Sequence, residues 1–139
     1  MAVRTLENRS SEPGVELLVT EALRREILRR GALRLVGDPR LADWVVRGHV
    51  LPLTTSSKSF SSVQLALEYR VTLAVELEVD RGEELEPIIF HRRTLEETEL
   101  YLASADLEAG RKNRKEALRR VSEVLADRVH DALDDRLHP

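Results

Sequence analysis

The sequence predicts an α+β fold, a two-layer sandwich with two helices packed on one face of a four-stranded mixed sheet. Three observations carry this expectation. Every odd position from Val63 to Val79 is apolar, while Gln64, Ala66, Glu68, Arg70, Thr72, Ala74, Glu76 and Glu78 fill the even ones. That is the period of a strand with one buried face. Two other segments each carry one apolar stripe at helical spacing. The order strand, helix, three strands, helix gives one parallel crossover followed by antiparallel hairpins, and both stripes need the same apolar sheet face.

The elements follow in order. Met1–Leu6 reads as a short first strand, and the turn formers from Asn8 to Gly14 read as a loop ending at a helix start. Val15, Leu18, Val19, Ala22, Leu23 and Ile27 then fall on one side of a helix spanning Val15–Arg30. Glu21–Arg25 and Glu26–Arg30 have the spacing of favourable helical ion pairs, and Gly31 is placed to cap the end. The second strand is Ala42–Leu51, ended by Pro52, and Thr54–Ser62 reads as a polar hairpin connector. Val63–Val79 would span about 55 Å if fully extended, so a bend or bulge is expected within it. Asp80–Glu83 makes the next turn, and Leu85 to about Tyr101 is the fourth strand. After a small-residue connector, Ala103–Gly110, the last helix carries Ala117, Leu118, Val121, Val124, Leu125, Val129, Ala132, Leu133 and Leu137 as its stripe.

The chain has 139 residues, one domain's worth, with 42% hydrophobic and 34% charged residues. It is read as a single domain, 1–139. With 22 Lys and Arg against 25 Asp and Glu, the net charge is −3. No global basic field exists to hold nucleic acid. Cysteine is absent, which removes disulfides, thiol catalysis and thiolate metal sites. His49, His91, His130 and His138 lack metal-ligand spacing and read as surface histidines. The pair His130-Asp131 has no second histidine pair to complete a metal phosphohydrolase site. Glu96, Glu97 and Glu99 read as a solvated strand end, and the serines of Ser56–Ser62 sit in no nucleophile motif. No cofactor and no enzymatic activity are expected.

The chain order suggests a site of another kind. If hairpins alternate ends, the loops after strands one, two and four lie together. They carry Arg9, Lys58 and the run Arg111, Lys112, Arg114, Lys115, with Phe60 beside Lys58. The run alone is an ordinary solvated charge cluster. Convergence of three loops makes it an anion site, suited to phosphate or carboxylate. With an apolar contact from Phe60, an amphiphile with an anionic head fits better than DNA.

These residues also resemble a family. Glu7-Asn8-Arg9-Ser10 followed by Pro13-Gly14-Val15-Glu16 is similar to the opening of the lipopolysaccharide-assembly lipoproteins (LptE). Those begin with a strand, an Asn-Arg-Ser/Thr turn and a Pro-Gly-Leu/Val-Glu helix start. Ala42-Asp43-Trp44-Val45-Val46-Arg47-Gly48, Glu68-Tyr69-Arg70-Val71-Thr72-Leu73 and the closing helix from Glu116 to Leu137 extend the resemblance over nearly the whole chain. It implies a periplasmic domain held at the outer membrane by a lipidated N-terminal cysteine, acting as a plug in an LptD-like β-barrel. It also implies lipopolysaccharide binding by basic residues, which align near Ser62, with Lys58 close by, and near Arg111 or Lys112. Arg9, Arg114 and Phe60 are expected in support. The signal peptide and lipid anchor are absent from the chain and are expected to precede it. The alternative is a periplasmic adaptor of similar fold, from a secretion or lipid-trafficking machine, without lipopolysaccharide affinity.

Overall fold

The computed structural model describes residues 1–59, 68–81, 90–103 and 106–137. In chain order these form β1 (Ala2–Val3), β2 (Glu7–Asn8), α1 (Val15–Arg30), a 3-10 turn (Pro39–Leu41), β3 (Trp44–Val50), β4 (Thr54–Ser59), β5 (Glu68–Arg81), β6 (Phe90–Leu102) and α2 (Leu107–Leu137). The expected starts of the third and fourth strands, in 60–67 and 82–89, lie outside the described residues.

The short strands combine into four paths across the mixed sheet. β1 and β2 both pair in parallel with β3, Ala2 opposite Val45 and Asn8 opposite Val50. β3 and β4 lie end to end along one side of β5, with Val50 opposite Val75 and Thr54 opposite Thr72. β6 runs antiparallel along the other side of β5. Between β3 and β4 the chain breaks around Pro52, yet the Leu51 N–H still donates to the Ala74 carbonyl at 2.9 Å.

Two expectations about strands need correction. Thr54–Ser59 is a paired strand rather than a loop. Its Ser and Thr side chains resemble a loop in composition, but at a sheet edge the neighbouring strand supplies the hydrogen bonds that hold it extended. The first strand is likewise interrupted, and Glu7–Asn8 pairs where a loop was expected. The expected irregularity lies in the partners of the long strand. Ser57 to Ser59 spans only Tyr69 to Glu68, leaving Lys58 as the extra residue. A second shift falls in β6 opposite Leu77–Val79.

The helices share one face. Val71, Leu73, Val75, Leu77 and Val79 are buried in one cluster with Val15, Val19, Leu23 and Ile27 of α1 and Leu118, Val121, Leu125, Val129 and Leu133 of α2. α1 has the expected bounds. It ends at Gly31, whose φ of 70° places it in the left-handed region and lets its N–H reach the Ile27 carbonyl at 3.2 Å. Val124 is 46% exposed and falls off the α2 stripe. α2 also starts earlier than expected, taking Leu107–Gly110 from the connector. On the opposite sheet face Ala2, Ala42 and Val45 form a small second cluster.

Ion pairs stitch the layers. Glu21 pairs with Arg24 at 2.6 Å, one residue short of the expected Arg25. Arg30 bonds Glu26 in its own helix and Asp127 and Asp131 of α2. Hydrogen bonding from Arg29, with that from Arg30, holds the Glu26 carboxyl down to about 2 against the opposing effect of burial. Glu97 and Glu99, expected as a free strand end, meet Arg128 at 2.6 Å and Arg120 at 3.3 Å.

His130 corrects the expectation that the histidines lie on the surface. It is 1% exposed, and neither ring nitrogen has a hydrogen-bond partner among the described residues. Burial lowers its pKa, and the Arg30 charge adds to this against Asp134, Glu26 and Asp131. The unfolded chain therefore takes up a proton that the folded chain refuses. The stability contributed by neutral His130 is complete above about pH 6.5 and is lost as pH falls below it. Urea denaturation between pH 7 and 5.5 should show this loss, and His130→Leu should flatten it. An identical pH dependence in both proteins would contradict it.

Candidate functional site

α2 presents its basic run at the end where β4 meets β5. Asp106 precedes the helix, and its carboxylate accepts from the Glu108 N–H at 3.0 Å. Arg111, Lys112 and Lys115 follow in the next turn, all exposed. Among the described residues, none of the three has a hydrogen bond or ion pair. The helix dipole does not favour cations near this terminus, so helix formation does not explain their placement.

Arg114 behaves differently. Its Nη1 donates to Thr55 Oγ1 and to Tyr101 Oη, each at 3.1 Å, and its Nη2 reaches Glu12 Oε2 at 3.4 Å. The guanidinium lies 5.7 Å from the Tyr101 ring centroid. Tyr101 in turn stacks on its cross-strand partner Tyr69, centroids 5.6 Å apart and planes at 20°. Arg114 thus ties α2 to β4, to β6 and to the loop before α1. Its charge is shared with Glu12, and its side chain is 27% exposed.

Beside the basic run the surface is apolar in part. Leu102 is 58% exposed and Leu107 75% exposed. A groove of about 240 Å³ opens between β6 and α2, lined by Leu100, Tyr101, Leu102, Asn113, Glu116 and Arg120. Sequence reading missed Leu102, Leu107 and the tyrosine pair. The only signal for the tyrosines is the register of β5 against β6, which single positions do not reveal.

The other expected site residues divide. Lys58 is the bulge residue of β4, at the α2 end of the sheet. Arg9 is elsewhere. Its N–H donates to the Val50 carbonyl, eight residues before Lys58 or roughly 25 Å of extended chain. The side chain of Arg9 lies 4.0 Å from Glu7 and borders a hollow of about 660 Å³ on the open sheet face. In that hollow Arg47 pairs with Glu78 at 2.6 Å, and His49 lies 3.9 Å from Glu76. β4 extends the sheet well past the end of β2 and so separates Arg9 from Lys58, while the loop that carries Arg9 reaches α2 through Glu12 and Arg114. Phe60 lies outside the described residues. Among the described residues no His, Asp and Glu cluster could hold a metal ion. No described helix is long and apolar enough to cross a membrane.

The family model for lipopolysaccharide assembly, LptE, matches residues 1–133, and the chain belongs to that family. No curated protein is significantly similar to it. Among solved structures, it is similar to rare lipoprotein B from Shewanella oneidensis. Identity is 19%, coverage is 97% of this chain and 95% of that one, and the TM-score is 0.62. A hypothetical protein from Chlamydia trachomatis superposes with a TM-score of 0.67 at 12% identity, covering 97% of this chain and 95% of that one. A minor lipoprotein from Acinetobacter baumannii reaches 0.54 at 19% identity, covering 92% and 86%. At these identities the three structures speak for the fold.

The clamp role of Arg114 is testable by stability. Arg114→Ala removes three hydrogen bonds at a half-buried position and should cost roughly 1–2 kcal/mol. Arg114→Lys should recover little, because one ammonium cannot span Thr55, Tyr101 and Glu12 together. Thermal melts of the three proteins check this; full recovery with lysine would leave only a charge effect.

Proposed function

We propose that this member of the LptE family is a non-enzymatic accessory of lipopolysaccharide assembly. It works on the periplasmic side of the outer membrane, held there by a lipid anchor preceding the chain, and docks as a plug in an LptD-like β-barrel. The observation that supports a lipopolysaccharide site is the end of α2. Arg111, Lys112 and Lys115 are exposed and make no hydrogen bond or close ion pair among the described residues, beside exposed Leu102 and Leu107. Clustered cations next to apolar side chains match a molecule with phosphates and acidic sugars at its head and acyl chains behind. Lys58, at the same end of the sheet, adds a further cation. Arg114 supports the site by holding α2 in place, and Arg9 adds positive charge on the open face.

Cations within a Debye length, about 8 Å at physiological salt, act together on a multivalent anion. Single exposed contacts are worth about 0.2–1 kcal/mol, so single substitutions should weaken binding only modestly. Arg111→Glu with Lys112→Glu should abolish lipopolysaccharide pull-down while leaving the melting curve unchanged, and wild-type capture should weaken as salt rises. Equal, salt-insensitive capture by both proteins would favour the adaptor reading.

The barrel reading is supported by the open sheet face, where Arg47, Glu78 and Asp80 form a polar, mixed-charge surface. Such a surface suits a wet interface better than an apolar one does. Photocrosslinkers at Arg70 and Thr94, both exposed, should capture an LptD-like barrel in cells. Capture of no barrel from any open-face position would remove the plug reading.

A further inference from the structure

The edges of a sheet carry unpaired backbone groups, and proteins commonly close them. Here two of the three edge segments are closed by side chains or loops. Along β6 the outward carbonyls of Glu96, Leu100 and Leu102 accept from Arg128 at 2.9 Å, Arg120 at 3.3 Å and Asn113 at 3.1 Å. Along the β1–β2 path the Val3 carbonyl accepts from Arg24 at 2.7 Å, and the Leu6 N–H donates to Thr20 at 3.0 Å. The Met1 carbonyl accepts from the Val36 N–H at 2.8 Å.

Among the described residues, β4 has no such cover. The bond from Leu51 N–H to the Ala74 carbonyl shows that even residues of β5 face the β3–β4 path. Thr54 and Ser56, opposite Thr72 and Arg70, therefore direct their backbone groups into the ladder. By the alternation of antiparallel pairing, Thr55 and Ser57 direct theirs outward. β2 stops at Asn8, opposite Val50, so it does not reach this stretch. Among the described residues no group bonds the outward backbone of Thr55 or Ser57, and Thr54, Thr55 and Ser56 are exposed.

We propose that the outward edge of β4, at Thr55 and Ser57, accepts an added strand from a partner protein, an extended segment carrying acidic side chains. Main-chain bonds to Thr55 and Ser57 would hold it, as in other cases of strand addition. Charge selects the partner. Arg70 is exposed opposite Ser56, Arg114 bonds the Thr55 side chain, and Lys58 follows in the bulge. A lysine at a bulge repels indiscriminate pairing and ends the usable edge. A second copy of this chain is disfavoured, because its own β4 edge, Thr54–Ser59, carries Lys58 and no acidic side chain. The proposal shares Lys58 and Arg114 with the lipopolysaccharide reading, but its backbone contacts and its test do not depend on that reading.

The test uses the 139-residue chain and a short synthetic peptide alternating threonine and glutamate, with a threonine–lysine peptide as control. The glutamate peptide should bind and slow amide exchange at Thr55 and Ser57 by NMR, and the lysine peptide should do neither. Ser57→Pro removes an outward donor, which an edge strand tolerates, and should weaken binding about fivefold, the worth of one main-chain bond. Arg70→Glu, which leaves the backbone intact, should weaken it by a similar factor. The proposal is overturned if exchange at these amides does not change with the glutamate peptide. It is equally overturned if Ser57→Pro and Arg70→Glu, both folded by their melts, bind as wild type does. Protection of the same amides by self-association, without peptide, would assign the edge to a second copy.

Discussion

Val71, Leu73, Val75, Leu77 and Val79 turn to one side of β5 and are buried there, and each other layer is fitted against them. Burying each is worth about 1.5–3 kcal/mol before chain entropy is set against it. A slip of one residue would carry the whole row to the wet face, so the pairing on both sides of β5 has little freedom. β3 therefore offers Val46 and Val50 to the same core, opposite Val79 and Val75. Between them stands Gly48, where a Cβ would come within 2.1 Å of the Glu76 carbonyl oxygen. Only glycine fits that approach. Both helices then have one place to go, because a single apolar face exists to receive their stripes.

Charge is spent mostly inside the molecule. Arg30 bridges the helices through Glu26, Asp127 and Asp131, while Arg120 and Arg128 join α2 to Glu99 and Glu97 of β6. Arg47 is shared between Glu78 and Asp80 on the open face. Against this background the exposed cations at the start of α2 differ from the rest, because the nearby arginine that does have partners, Arg114, is the one that anchors the helix. The anchoring and the free charge lie within a turn of each other. Neutralising the free cations would leave the frame standing, whereas loosening Arg114 would move the platform that carries them.

The sequence by itself determined the alternation of the long strand, the bounds of α1, the α2 stripe and the pairing of two helices with one sheet face. These are local periodicities, written in residues a few positions apart, and the physics that reads them is burial of one side of a helix or strand. It also pointed to Arg111 and Lys112 as exposed cations, because a basic run outside an apolar stripe has nowhere else to face. Tertiary structure decided the rest. Thr54–Ser59 became a strand because β5 supplied a ladder. Arg9 was separated from Lys58 because β4 prolongs the sheet beyond β2. His130 was buried because α1 packs over it, and Arg114 became a clamp because Thr55, Tyr101 and Glu12, far apart in the chain, meet beneath α2. Each of these depends on a contact across long sequence separation. Such contacts follow from register and packing, which no window of the sequence contains.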